Sequence, residues 1–413
     1  MTTTSSKNEW LTGGPLLLSC AIGMSGNGVA QHVLGQFMAP LEHEFGWSRT
    51  QVSMGLSISL MLGVLLASVV GRLVDRHNAR RLAIVGLILS GMSLASFSLI
   101  NGQTGLWIGL WVGYILTGLL SSPVVFLSVI PTAFKKHRSM ATAMALCGMG
   151  LGTAFSPVYA RYLIEQFGWR PAYQILGLTW FGVALVLVLF FFHDRRDRVA
   201  DQAEADSHGV LRGFGPWKML ARSPTFLKMA AVVFLVVSAE FSFTIHLSPA
   251  LVDKGFGPMD AAKLAGLAGI GAICGKLGVG WFFDRAPAHV VAMGVMAVLA
   301  SACLMLAPLG DQVLWASVAC LTLGVSSGAN LTVLACVSRQ YFPGQFGLVF
   351  GALMSVMALG AASGPTMASL IHDKIGSYEP FYWYGVAVAG VAALIFRTLG
   401  RPPEDLTPAA AVA

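Results

Sequence analysis

A chain of 413 residues that is 55% hydrophobic and only 11% charged, with a mean hydropathy of +0.71, cannot cover a soluble globular surface, which is usually about a quarter charged or more. Composition therefore makes it an integral membrane protein with the lipid bilayer as its first partner. The net charge of +7 does not point to nucleic acid, because the cations cluster at the ends of apolar runs and form no single basic face.

Read from the N-terminus, one Lys precedes an apolar stretch interrupted by Asn27, Gln31, His32 and Gln36, without a small-residue cleavage site. The first span is expected to remain in the mature protein. A membrane-crossing helix needs roughly 20 apolar residues, and twelve such runs follow one another. They lie at 13–39, 50–71, 82–100, 105–131, 139–164 and 172–192, then at 226–251, 261–283, 288–308, 313–338, 346–371 and 380–399. Placing both termini in the cytoplasm puts 19 of the 26 Lys and Arg on the inside and six outside, leaving Lys276 within a span. That asymmetry sets the expected orientation across a cytoplasmic (inner) membrane, because cytoplasmic loops carry the excess of Lys and Arg.

The expected fold is an all-α membrane protein of twelve transmembrane helices in two six-helix pseudo-repeats: residues 1–192, a polar cytoplasmic linker at 193–225, and residues 226–413. The repeat shows in matched landmarks: Pro40 and Pro249, expected to close spans 1 and 7, are 209 apart, and Pro157 and Pro365 in spans 5 and 11 are 208 apart. Parallel repeats of this kind build one large class of transporters. The six cysteines all fall inside spans with no Cys-x-x-Cys pair, so they read as small core residues. Gly148-x-Gly150-x-Gly152 superficially suggests a nucleotide loop, but it lies within an apolar run with no strand before it. There its glycines are expected to let helices approach closely. No Walker sequence, catalytic triad or metal-spaced cluster occurs, so neither an enzyme nor a cofactor is expected.

Gly71-x-x-x-Asp75-Arg76-x-x-x-Arg80-Arg81 lies between spans 2 and 3, and Gly280-x-x-x-Asp284-Arg285 repeats its start 209 positions later. The first string resembles the loop signature of the major facilitator superfamily over its full length, and the second resembles that signature's degenerate copy. The resemblance implies the fold above, a monomeric functional unit, and conformational gating by Gly71, Asp75, Arg76, Arg80, Asp284 and Arg285. Phe45-Gly46-Trp47-Ser48, Phe134-Lys135-Lys136-His137-Arg138-Ser139 and Phe167-Gly168-Trp169-Arg170-Pro171 are similar to loops of the monocarboxylate porter and oxalate/formate antiporter group.

A charge near the bilayer centre costs about 2.5–3.5 kcal/mol on insertion scales, so an intramembrane ion is a functional candidate by default. Two qualify. Lys276 lies eight residues before Asp284, about two helical turns into the membrane. In the group it resembles, a span 8 Arg in similar placement binds the substrate carboxylate. Glu240 lies nine residues before Pro249, as Gln31 lies nine before Pro40, which predicts a cavity-facing position and a role in proton coupling. Asn27, Gln31 and His32 on span 1 and Asn330 on span 10 are candidate substrate contacts; His32 is also a candidate for the proton, and His246 is a weaker candidate of the same kind. The expected function is import or export of a small organic monocarboxylate by alternating access, coupled to protons. An anion exchanger without protons and an exporter of amphipathic compounds are the alternatives.

Overall fold

The computed structural model describes residues 6–134, 137–193, 222–283, 285–310, 312–342 and 345–399, with side chains at 6–8, 64, 67–76 and 139 left aside. Among them 89% is helix and there is no strand. A chain that must satisfy every backbone N–H and C=O inside hydrocarbon has no alternative except a closed barrel.

Contacts group the chain into two units. The first takes Met1–Gly209, Ile245–Val252 and Phe256–Gly269, and the second takes Val210–Thr244, Asp253–Gly255 and Ile270–Ala413. In chain order the helices are α1 (Ser6–Ser25), α2 (Val29–Phe45), α3 (Arg49–Arg76), α4 (Ala79–Ser96), α5 (Thr104–Gly118), α6 (Pro123–Leu127), α7 (Ile130–Ala133), α8 (Arg138–Phe167) and α9 (Trp169–Phe191). The rest are α10 (Pro224–Asp253), α11 (Pro258–Phe283), α12 (Ala288–Leu306), α13 (Val313–Tyr341), α14 (Phe346–Ile375) and α15 (Glu379–Leu399). Among the described residues ten helical segments are long and apolar enough to cross a membrane; α1–α2 and α3 complete the twelve spans.

Two spans differ from the continuous runs expected. Span 1 is interrupted between α1 and α2, where Gly28 adopts φ +86°. Only glycine enters that left-handed region without steric cost, so Gly26-Asn27-Gly28 breaks the helix in mid-membrane. Span 4 is likewise divided: α5 tightens into a 3₁₀ turn at Leu119–Ser121, and Ser122 is extended (φ −68°, ψ 158°) before Pro123 opens α6. The residue before a proline is pushed out of the α region by the ring. A further correction concerns Pro40 and Pro249, which do not close their spans but lie inside α2 and α10.

Small residues set the helix packing. In the first unit a Cβ at Gly148 would strike the Ala21 carbonyl and one at Gly152 that of Ser25, so α8 is seated backbone-to-backbone on α1. In the second unit Gly360 and Gly364 of α14 meet Phe234 and Ser238 of α10 in the same way. The expected packing role of Gly148 and Gly152 is thus what the structure shows. The first unit also holds a closed aromatic core: Phe37 stacks on Tyr173 at 3.7 Å, Phe97 meets Trp107 and Trp111 edge-on, and Trp107 Nε1 donates to the Val52 carbonyl at 3.0 Å.

Candidate functional site

The second unit buries an acid among hydrogen-bond donors. Glu240, 5% exposed near the middle of α10, receives the Ser326 hydroxyl on Oε1 at 2.8 Å and the Asn330 amide on Oε2, both from α13. Ser326 and Asn330 are four residues apart, so both project from one face of that helix. Asn330, expected as a substrate contact, is engaged by the acid.

Lys276 is half-buried on α11. Its helix is drawn onto α13 by a second set of small residues: Gly271 lies against Leu321, Gly275 against the Val325 backbone, and Gly328 against Ala272. The contact of Gly275 with Val325 brings Lys276 and Ser326 each within one residue of the same crossing. Sequence spacing singles out Glu240 and Lys276 but not Ser326, because a serine in an apolar helix carries no signal until its partner is known.

In the first unit His32 Nε2 lies 3.1 Å from Thr153 Oγ1, between α2 and α8. The break in span 1 is stitched by Tyr114, whose hydroxyl lies 3.4 Å from both the Ala30 nitrogen and the Gly26 carbonyl oxygen. Trp180 Nε1 donates to Ser25 Oγ at 3.2 Å just before it. Beside the break a cavity of about 100 Å³ is lined by Asn27, Gln31, Ser90, Tyr114, Ser121 and Ser122 among others. Asn27 and Gln31 are therefore brought together at this cavity. His246 is buried in α10 at 2% exposure.

Of the gating set, Gly71, Asp75 and Arg76 fall in the stretch of α3 whose side chains are left aside, and Asp284 lies outside the described residues. Arg80 donates to the Leu189 carbonyl at the end of α9 at 2.6 Å, and its amide is capped by Asn78. Arg285 lies 3.9 Å over the Trp281 ring and donates to the Trp281 carbonyl at 3.1 Å.

The profile of the Major Facilitator Superfamily matches residues 20–341. The chain belongs to the major facilitator superfamily. Among superfamily members it is 26% identical over 370 residues to mouse monocarboxylate transporter 11, covering 84% of this chain and 78% of that one. Bovine monocarboxylate transporter 13 is 26% identical over 393 residues, at 90% and 88% coverage. The MFS-type transporter YcxA of Bacillus subtilis is 24% identical over 372 residues, at 87% and 88%. A crystal structure of a bacterial homolog of the human lysosomal transporter Spinster, in an inward-facing and occupied conformation, superposes with a TM-score of 0.71 at 17% identity, covering 96% of this chain and 99% of that one. That likeness shows the fold. The protein is thus a multi-pass superfamily transporter related to monocarboxylate transporters, and its second unit holds both the buried acid Glu240 and Lys276, on a helix long and apolar enough to cross a membrane.

Proposed function

We propose that this protein is a secondary active transporter that carries a small organic monocarboxylate across the cytoplasmic membrane as a proton symporter, working by alternating access between two six-helix halves joined at 193–225. Both termini are cytoplasmic in this reading, and the functional unit is a monomer. The observation that carries it is Glu240, a carboxyl held inside the second unit by two donors in a chain whose span 8 also holds an ammonium, Lys276. An ion is expensive inside a membrane, and such groups mark substrate and proton pathways. Lys276 supplies the positive partner for one carboxylate.

The donors around Glu240 suit a proton carrier. A serine hydroxyl rotates to donate or accept, and a carboxamide offers both roles. Ser326 and Asn330 can therefore serve the carboxyl in either protonation state. Kinship with proteins named monocarboxylate transporters supports the substrate class. The same two donors also fit a carboxylate that never releases its charge, which is the geometry an anion exchanger without protons would use.

The test is uptake by the purified protein in proteoliposomes against a panel of labelled monocarboxylates. A symporter concentrates substrate when the outside is made acidic. An exchanger does so only when the vesicles are preloaded with a second anion, and an exporter of amphipathic compounds transports neither way.

A further inference from the structure

Within the second unit, α11, α12 and α13 border a groove of about 340 Å³. Apart from the Cys274 thiol and the Ser326 hydroxyl, its lining among the described residues is Gly, Ala, Val and Phe. Water is a poor filling for such a space, because an ordered water needs about two to four polar partners and the Ser326 hydroxyl is already given to Glu240. Nor is the groove part of a closed core. Cys274, Phe282, Val290 and Gly294 along it are exposed, and a Cβ built at Gly278 or Gly294 meets nothing within 4 Å. In a chain that lives in a bilayer, the molecule at hand to fill an open apolar groove is a lipid chain.

Two features favour a phospholipid over the transported anion. On α11 the lining residues Gly275, Gly278, Val279 and Phe282 recur at helical spacing on one face. Lys276 is turned about 100° from Gly275 and is not in that lining, so the cation proposed for the carboxylate lies off the groove. The second feature is the mouth, at Phe282 and Ala286 around the turn from α11 to α12. Between them in sequence, Arg285 is exposed, with its guanidinium 3.9 Å over the ring of Trp281. Trp281 is itself 54% exposed, and Trp is enriched at the membrane–water interface, so this pair marks the level of the headgroups. From there the groove follows α12 as far as Val298, ten residues beyond the helix start at Ala288 (298 less 288). That is about 15 Å of helix, or half of a hydrocarbon core roughly 30 Å thick. A cation at headgroup level and an apolar track one leaflet deep fit the two ends of one lipid.

We propose that this groove is a binding site for an anionic phospholipid, with one acyl chain lying between α11 and α12 and the phosphate at Arg285. Ser326 belongs to the lining, so the chain keeps water from the hydroxyl that donates to Glu240. The lipid thereby shields the buried acid on the side of α13, whatever substrate the protein carries.

The full-length protein is delipidated in detergent and titrated with dioleoyl phosphatidylglycerol or dioleoyl phosphatidylcholine. Native mass spectrometry counts the lipid retained, and the unfolding temperature reports the stabilisation that binding to the native state brings. Wild type is expected to hold one phosphatidylglycerol per chain, and to prefer it over phosphatidylcholine about fivefold, the worth of one Arg near an anionic surface. Gly278→Leu and Gly294→Leu place their side chains in open space, so each should unfold no earlier than wild type in lipid-free detergent while losing both the retained lipid and the shift. Arg285→Gln should keep a lipid but lose the headgroup preference, and it serves as the test if a Leu variant fails to fold. Wild type without a retained lipid, or retention unchanged in both folded Leu variants, would overturn the site. So would an unchanged preference in Arg285→Gln, or release of the lipid by a transported monocarboxylate, which would give the groove to the substrate.

Discussion

Ser326 donates its hydroxyl to Glu240 at 2.8 Å, across from α13 to α10 in the second unit. With the amide in place of the acid, the Gln carbonyl still accepts from the Asn330 amide, while its NH2 donates to the Ser326 hydroxyl, which rotates from donor to acceptor. Glu240→Gln is therefore expected to fold and insert normally but to exchange no proton. Accumulation should lose its dependence on outside pH, whereas exchange of labelled for unlabelled substrate should continue, because exchange does not require the empty carrier to return. A Glu240→Gln protein that still concentrated substrate down a pH gradient would move the coupling role to His32 or Lys276.

Lys276 is expected to be indispensable for the anion and tolerant of Arg. Charge-assisted hydrogen bonds contribute about 1.5–3 kcal/mol, so Lys276→Ala should weaken carboxylate binding by roughly 10-fold to more than 100-fold. Lys276→Arg keeps the charge but replaces a compact ammonium with a planar fork, and should retain part of the affinity. Binding assays on protein with an unchanged unfolding temperature check both. Wild-type affinity in the Ala variant would show that Lys276 merely reaches toward the headgroups.

The packing glycines make a paired prediction about stability. Gly152 and Gly360 each meet a carbonyl-bearing backbone, of Ser25 and Phe234, whereas Gly182 and Gly390 have open space around a built Cβ. Gly152→Ala and Gly360→Ala force the helices apart and should destabilise by about 1–3 kcal/mol, as overpacking does. Gly182→Ala and Gly390→Ala should instead gain up to about 1 kcal/mol, from the lower backbone entropy of Ala in a helix. Unfolding temperatures in detergent should separate the two pairs by sign.

Those glycines also show what the sequence could reveal. The contact of Gly152 with Ser25 recurs as that of Gly360 with Phe234, displaced by 208 and 209 positions (360 less 152; 234 less 25). The same offset was legible in Pro157 and Pro365. Hydropathy reports where a chain can cross a membrane, so the spans were visible too. It is blind to a helix broken inside an apolar run, and the divisions at Gly28 and Ser122 were missed although Gly26-Asn27-Gly28 and Ser121-Ser122-Pro123 carried the local chemistry. Charges stand out against lipid, which is why Glu240 and Lys276 could be chosen from sequence. Ser326, Tyr114 and Ser122 could not, since a hydroxyl becomes informative only when its neighbour is known.

Valence gives a further expectation. Oxalate-type porters, in the resemblance noted above, pair the span 8 cation with a second basic residue on span 11, but residues 346–371 contain no Lys or Arg. One ammonium balances one carboxylate. Oxalate and succinate should compete poorly for uptake, and either of them displacing every monocarboxylate tested would refute a single-cation site.

The last prediction concerns the driving force. A monoanion that enters alone against an inside-negative potential is opposed by about 2.3 kcal/mol per 100 mV, whereas a monoanion entering with one proton carries no net charge. A buried acid at Glu240 and a cation at Lys276 suit the second scheme: the pair can lose a proton as substrate leaves and regain it as substrate binds, so that each step through the membrane is made near electrical neutrality. Uptake into proteoliposomes should therefore rise when the outside is acidified and respond weakly to a potassium–valinomycin potential imposed at equal pH on both sides. The two gradients can be set independently in the same vesicles, so the comparison needs no variant and no knowledge of the physiological substrate beyond one that is transported. Uptake that followed the potential at equal pH would mean that net charge moves with each cycle, and the one-proton, one-anion stoichiometry would have to be abandoned.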